Sequence, residues 1–131
     1  MIVIDASAVV ELLLRTAAGA RVTQRTLERG ESMHAPHLID VEVLQAVRRY
    51  VLQRELTAAR GEEALADYRA LMIRRHDHAV LMERIFELRE SHGAYDATYV
   101  ALAESLDARL LTCDARLARS HGLRARIQLA D

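Results

Sequence analysis

The chain has 131 residues, 51% of them hydrophobic and 4% aromatic, and a net charge of −1. That length and apolar content suit one domain with an aliphatic core and exclude a disordered chain. The near-zero charge removes a global basic field for nucleic acid. The absence of Lys (all 18 basic residues are Arg) removes Walker phosphate loops and Schiff-base chemistry.

A single cysteine, Cys113, forms no intrachain disulfide and no thiolate metal cluster. No segment approaches a membrane span, and an acid at position 5 argues against a secretory signal, so the expectation is a cytoplasmic protein.

In chain order, Ile2-Val3-Ile4 reads as a buried strand and Ser7–Leu14 as a short, largely buried helix. Gly19 reads as a break before a second helix over Ala20–Glu28, with Val22 and Leu27 inward and Gly30 at its end. Met33-His34-Ala35 reads as a strand followed by a turn at Pro36. Leu38–Arg54 reads as a long helix whose inward positions are Leu38, Val41, Leu44, Val47 and Val51. Thr57 is placed to cap a helix running to Leu71, ahead of a strand over Met72–Arg75.

His78–Ser91 reads as a helix with Val80, Leu81, Ile85, Phe86 and Leu88 inward, and Tyr95–Leu106 as another. Arg109–Thr112 is a buried strand, Ala115–Ser120 a short helix and Arg126–Leu129 a last strand. Strands alternating with helices predict an α/β protein: a mostly parallel sheet with helices on both faces.

Most of the 19 acidic residues sit on ordinary solvated faces, but four occupy element ends. Asp5 and Asp114 follow buried strands, and Glu42 and Asp96 lie near helix starts. Each alone has an ordinary reading. Asp5, Asp96 and Asp114 suit helix caps or first-turn acids, and Glu42 an exposed helix position. All four together lie where a parallel α/β fold gathers its strand and helix ends on one edge. Carboxylates so gathered repel unless a cation compensates, and hard oxygen ligands suit Mg²⁺ or Mn²⁺. A carboxylate-held divalent ion activates water and stabilises charge on a phosphoryl group, so the expected chemistry is metal-dependent phosphodiester hydrolysis.

Ser7 and Thr112 stand two residues from Asp5 and Asp114, as auxiliary hydroxyls or as a cap and a packed strand residue. Neither His76 with His78 nor His34 with His37 has the spacing of a ligand set. Tyr95 and Tyr99, four apart on one helix, read as packing residues.

Four segments, Ile4-Asp5-Ala6-Ser7-Ala8, Val41-Glu42-Val43-Leu44-Gln45-Ala46, Ala94-Tyr95-Asp96-Ala97-Thr98-Tyr99-Val100-Ala101-Leu102-Ala103 and Leu110-Leu111-Thr112-Cys113-Asp114-Ala115-Arg116-Leu117, resemble the motifs of PIN-domain proteins. Within that family they are similar to the VapC-type toxins of bacterial toxin–antitoxin pairs. An Asn is frequent there where Gln45 stands. The resemblance runs over essentially the whole chain as one domain.

It implies a three-layer α/β/α fold with about five mostly parallel strands, and an Mg²⁺- or Mn²⁺-dependent endoribonuclease. Asp5 and Asp96 would be the principal metal ligands, with Asp114 completing the site or binding through water. Glu42 would orient or deprotonate the attacking water, and Ser7 and Thr112 would be auxiliary. Arg15 and Arg116 would reach the substrate phosphate if they are not simply solvated.

The implied partners are RNA, a cognate antitoxin and a second copy of the chain, assembling into a higher hetero-oligomer. The first two helices, through Leu13, Leu14 and Val22, would offer an antitoxin groove or ordinary core. A housekeeping PIN ribonuclease and a non-catalytic PIN-like interaction module are the competing readings.

Overall fold

Ile2, Val3 and Ile4 expose no surface and form β1 (Ile2–Ile4), the middle strand of the sheet. The continuous apolar run is what a strand covered on both faces requires. The computed structural model describes residues 1–130. On one side β1 pairs with β2 (Met33–Pro36), which pairs with β3 (Ile73–His76). On the other it pairs with β4 (Arg109–Thr112), which pairs with β5 (Ile127–Leu129). All four pairings are parallel, and the order is β3-β2-β1-β4-β5.

Helices α1 (Ala6–Leu13), α2 (Ala17–Arg25), α3 (Ile39–Leu52) and α4 (Ala58–Ala70) pack on one another along one face. On the other, α6 (Ala94–Ser105) lies against β1, β2 and β4. It carries α5 (Met82–Glu87) and a 3-10 turn (Ala79–Leu81) behind it, and α7 (Ala115–Ala118) follows β4. The result is a three-layer α/β/α sandwich.

The helix starts follow their caps. The side chains of Asp5, Thr16, Thr57 and Asp114 each accept a hydrogen bond from a first-turn N–H of α1, α2, α4 and α7. Thr16 therefore starts α2 three residues earlier than the sequence suggests, and Gly19 lies inside the helix. It serves close approach there, since a Cβ at Gly19 would run into the carbonyl of Glu11 on α1.

Two amphipathic readings are corrected. On α3 the buried stripe is Ile39, Val43 and Val47, whereas Val41 and Leu44 are 68% and 51% exposed. Both stripes keep helical spacing and share Val47, so periodicity alone does not choose between them. Docking against α1 and α4 does. The helix expected over His78–Ser91 divides into the 3-10 turn and α5. The change of pitch buries Leu81 and Leu88 and leaves Val80 and Phe86 exposed. Pro36 is the last residue of β2 rather than a turn, and β3 lies one residue later than expected.

Two ionic clamps tie neighbouring elements. Arg75 of β3 donates to both carboxylate oxygens of Asp40 on α3, at 2.7–3.0 Å, and Tyr68 of α4 donates to the same carboxylate at 2.6 Å. Arg84 of α5 donates to Glu104 of α6 at 2.8 Å and 3.1 Å, and the Arg124 N–H adds a bond of 3.0 Å. Each clamp gives its acid a guanidinium partner.

Candidate active site

The chain moves outward from β1 to β2 and β3, then returns to the other side of β1 as β4. Such a reversal opens a crevice beyond the carboxyl ends of the two strands it separates. Asp5 immediately follows β1, and Thr112 ends β4. Both are buried, Asp5 at 6% and Thr112 at 0% exposure.

Asp5 Oδ1 accepts from the Ser7 hydroxyl at 2.6 Å and the Ala8 N–H at 3.0 Å, and Oδ2 accepts from the Thr112 hydroxyl. Ser7 and Thr112 also meet each other, at 3.2 Å. The Cys113 N–H donates to Ser7 Oγ and the Asp114 N–H to Thr112 Oγ1, each at 2.9 Å. Asp5 is thus a helix cap and the centre of a network joining the β1 and β4 ends. Burial pushes its carboxyl above the usual range. The two hydroxyls and the Ala8 N–H pull it back, and the Asp96 charge pushes it up again.

Asp96 stands in the first turn of α6, where Gly93 is the N-cap, so the Asp96 side chain is not spent on capping. Among the described residues it accepts no hydrogen bond. Partial burial and the charge of Asp114 raise its carboxyl, against His92 and Arg116. Glu42 lies in the first turn of α3. Burial raises it, the hydroxyl of Tyr99 lowers it, and the charges of Asp5 and Asp96 raise it further.

Asp114 differs. Burial raises it, but the Arg116 N–H and guanidinium and the Leu117 N–H more than offset this, and its carboxyl lies below the usual range. Asp5, Glu42, Asp96 and Asp114 therefore form one electrostatic neighbourhood. The contrast with Asp40 and Glu104 is physical. Those two acids are held low by Arg75 and Arg84, whereas Asp5, Glu42 and Asp96 sit high with no guanidinium clamped on them.

A polar pocket of about 210 Å³ opens beside Asp96 and Asp114, lined also by Ser91, His92, Arg116 and Ser120. His92 is held from both sides, with Nδ1 at 2.8 Å from Ser91 Oγ and Nε2 at 2.8 Å from Ser120 Oγ. Its sequence position carries no signal, because the pocket brings together the chain after α5 and the chain after α7. Arg116 is exposed, with Asp114 as its 3.5 Å partner.

Other expected positions fall elsewhere. Arg15 lies at the far end of α1 from Asp5, about 12 Å of helix away, and pairs with Glu63 and Asp67 of α4 at 3.5 Å and 3.4 Å. Leu13 and Val22 are core residues at 1% and 0% exposure, and Leu14 is partly buried against that core. His34 is buried and bonded to His76 at 2.8 Å across β2 and β3. Burial pushes the Cys113 thiol up to about 11, away from the thiolate form.

The donor chemistry fits a hard divalent cation: carboxylates with raised pKa values and, in Asp96, a side chain free of hydrogen bonds. Among the described residues no three His, Cys, Asp or Glu side chains stand together as a metal-holding group. The fit is therefore to ligation by one or two carboxylates with water completing the shell, which is the habit of Mg²⁺. No helix among the described residues is long and apolar enough to cross a membrane.

Residues 2–122 match the PIN domain family. The chain is 46% identical over 129 residues to Ribonuclease VapC12 of Mycobacterium tuberculosis, covering 98% of each protein. It is 43% identical over 128 residues to Ribonuclease VapC1 of the same organism, covering 97% of this chain and 96% of the relative. Among solved structures, PAE2754 from Pyrobaculum aerophilum superposes with a TM-score of 0.71 at 21% identity, over 95% of this chain and 81% of that one.

Proposed function

Since the chain belongs to the PIN-domain family, and within it to the VapC ribonucleases, we propose that it is the endoribonuclease toxin of a toxin–antitoxin pair, acting with Mg²⁺ or Mn²⁺. The observation that carries the reading is the set of three carboxylates, Asp5, Glu42 and Asp96, held above their usual range at the β1/β4 crevice with no guanidinium clamp. Burial first, and then the neighbouring acid charges, disfavour the ionised form of these carboxyls; a binding scaffold has no use for such a cost, whereas a divalent cation relieves it.

Asp5 and Asp96 would hold the ion, with Asp114 joining through water. Bound there, the cation supplies a more acidic water and stabilises charge on the phosphate. The remaining work falls to the chain. Ser7 and Thr112 fix the Asp5 carboxylate. Glu42, with its raised pKa, takes the proton from the attacking water. Arg116 and His92 face the pocket where a phosphate would add negative charge. The toxin reading brings two protein partners, a cognate antitoxin and a second copy. Either would cover apolar side chains that this chain leaves exposed, such as Val41, Leu44, Phe86 and Tyr95.

The test is RNA cleavage by purified protein with and without divalent ions. Cleavage is expected with Mg²⁺ or Mn²⁺ and lost in chelator, and Asp96→Asn is expected to abolish it while the protein stays folded. Equal activity in chelator would sink the metal reading. Growth arrest on expression, relieved by a co-expressed neighbouring gene product, separates a toxin from a housekeeping nuclease.

A further inference from the structure

Tyr99 sits one turn after Asp96 on α6 and is 2% exposed. Its ring is core, yet among the described residues its hydroxyl ends in a single polar contact, donated at 2.7 Å to Oε1 of Glu42, 57 residues away on α3. A buried phenol needs one partner, and any carbonyl would serve. Here the partner is the one glutamate among the site acids. We propose that Tyr99 is a positioning residue for Glu42: it occupies Oε1 and so leaves Oε2 as the one oxygen facing a water at the acidic edge.

Three features support this. First, among the described residues Oε2 of Glu42 has no hydrogen-bond partner, so the two carboxylate oxygens are already inequivalent. Second, Asp96 and Tyr99 are three apart on one helix, neighbouring positions on its surface. The helix that presents Asp96 therefore also sets the Glu42 rotamer, and the two acids are held in register by one rigid element. Third, burial and the charge of Glu42 keep the phenol proton on Tyr99, so it acts as a donor only and does not compete as a base. A half-buried glutamate on a flexible stem otherwise has several rotamers, and one fixed oxygen removes most of them.

The inference rests on the nuclease reading for its catalytic meaning, and the experiment separates the two. Tyr99→Phe removes the hydroxyl and keeps the ring. On an RNA fragment carrying the cleavage site mapped in total cellular RNA, kcat is expected to fall roughly tenfold, as for a lost hydrogen bond to a charged group, with KM unchanged. Binding of that RNA in chelator should also be unchanged. In metal-free protein labelled at glutamate Cδ, the Glu42 carboxyl ¹³C signal should move in Tyr99→Phe while the other glutamate signals stay. A kcat within twofold of wild type, or an unmoved Glu42 signal, would overturn the proposal. If the wild type cleaves no RNA, the nuclease reading fails, and the ¹³C signal alone decides whether Tyr99 holds Glu42.

Discussion

Thr112 donates its hydroxyl to Asp5, a residue 107 positions earlier, and through the same oxygen accepts the N–H of Asp114 at 2.9 Å. One side chain thus closes the seam between β1 and β4 and sets the distance between two site acids. The crevice is built from strand ends locked by side-chain hydrogen bonds, with Asp96 and Glu42 brought in on helices.

Metal-free protein should gain stability when the Asp5 charge is removed. Its folded carboxyl titrates above the unfolded value, so between the two the folded state binds more protons. Stability then falls as pH rises from about 4 through the raised folded value, and the penalty is complete above it. In chelator, Asp5→Asn should melt above wild type at about pH 7.5, with the gap closing as the pH falls to about 4. A gap that widens on acidification would show the opposite sign of shift.

Gly19→Ala should be costly although alanine favours helices. The added methyl meets the Glu11 carbonyl, which is backbone and cannot swing aside. A loss of about 3 kcal/mol is expected, read as a lower urea midpoint at unchanged slope. An unchanged midpoint would mean that α1 and α2 separate freely.

The two faces of α3 make a direct comparison. Ile39→Ala should cost about 2–5 kcal/mol, as for a buried aliphatic side chain, and Leu44→Ala no more than about 0.5. Chemical denaturation of the two single variants checks this, and similar losses would restore the other stripe as the core.

Arg116 should act through charge. Its guanidinium is 85% exposed beside Asp114, and a contact to one phosphate of single-stranded RNA contributes about 0.7 to the slope of log affinity against log salt. Measured with the cleavage-deficient Asp96→Asn protein, Arg116→Gln should reduce the slope by about that amount. Arg15→Gln, on the far end of α1, should leave it unchanged.

Local signals made much of this protein legible. The apolar runs at Ile2–Ile4 and Leu110–Thr112 marked strands buried on both faces, the Thr57 cap marked the start of α4, and positions at element ends singled out Asp5, Glu42, Asp96 and Asp114 as site candidates. These signals are written in neighbouring residues, because strand burial, capping and helix starts are decided within a few positions. Choices between equivalent local patterns were not legible. The Val43 stripe of α3 was chosen over the Val41 stripe by docking against α1 and α4. Gly19 served close helix packing rather than a break because Thr16 capped the helix ahead of it. His92 entered the acidic pocket, and Tyr99 reached Glu42, only because distant segments meet at the sheet edge. Contacts between residues dozens of positions apart depend on how the layers stack, so residue type and spacing nominated the acids while tertiary packing decided what holds and what faces them.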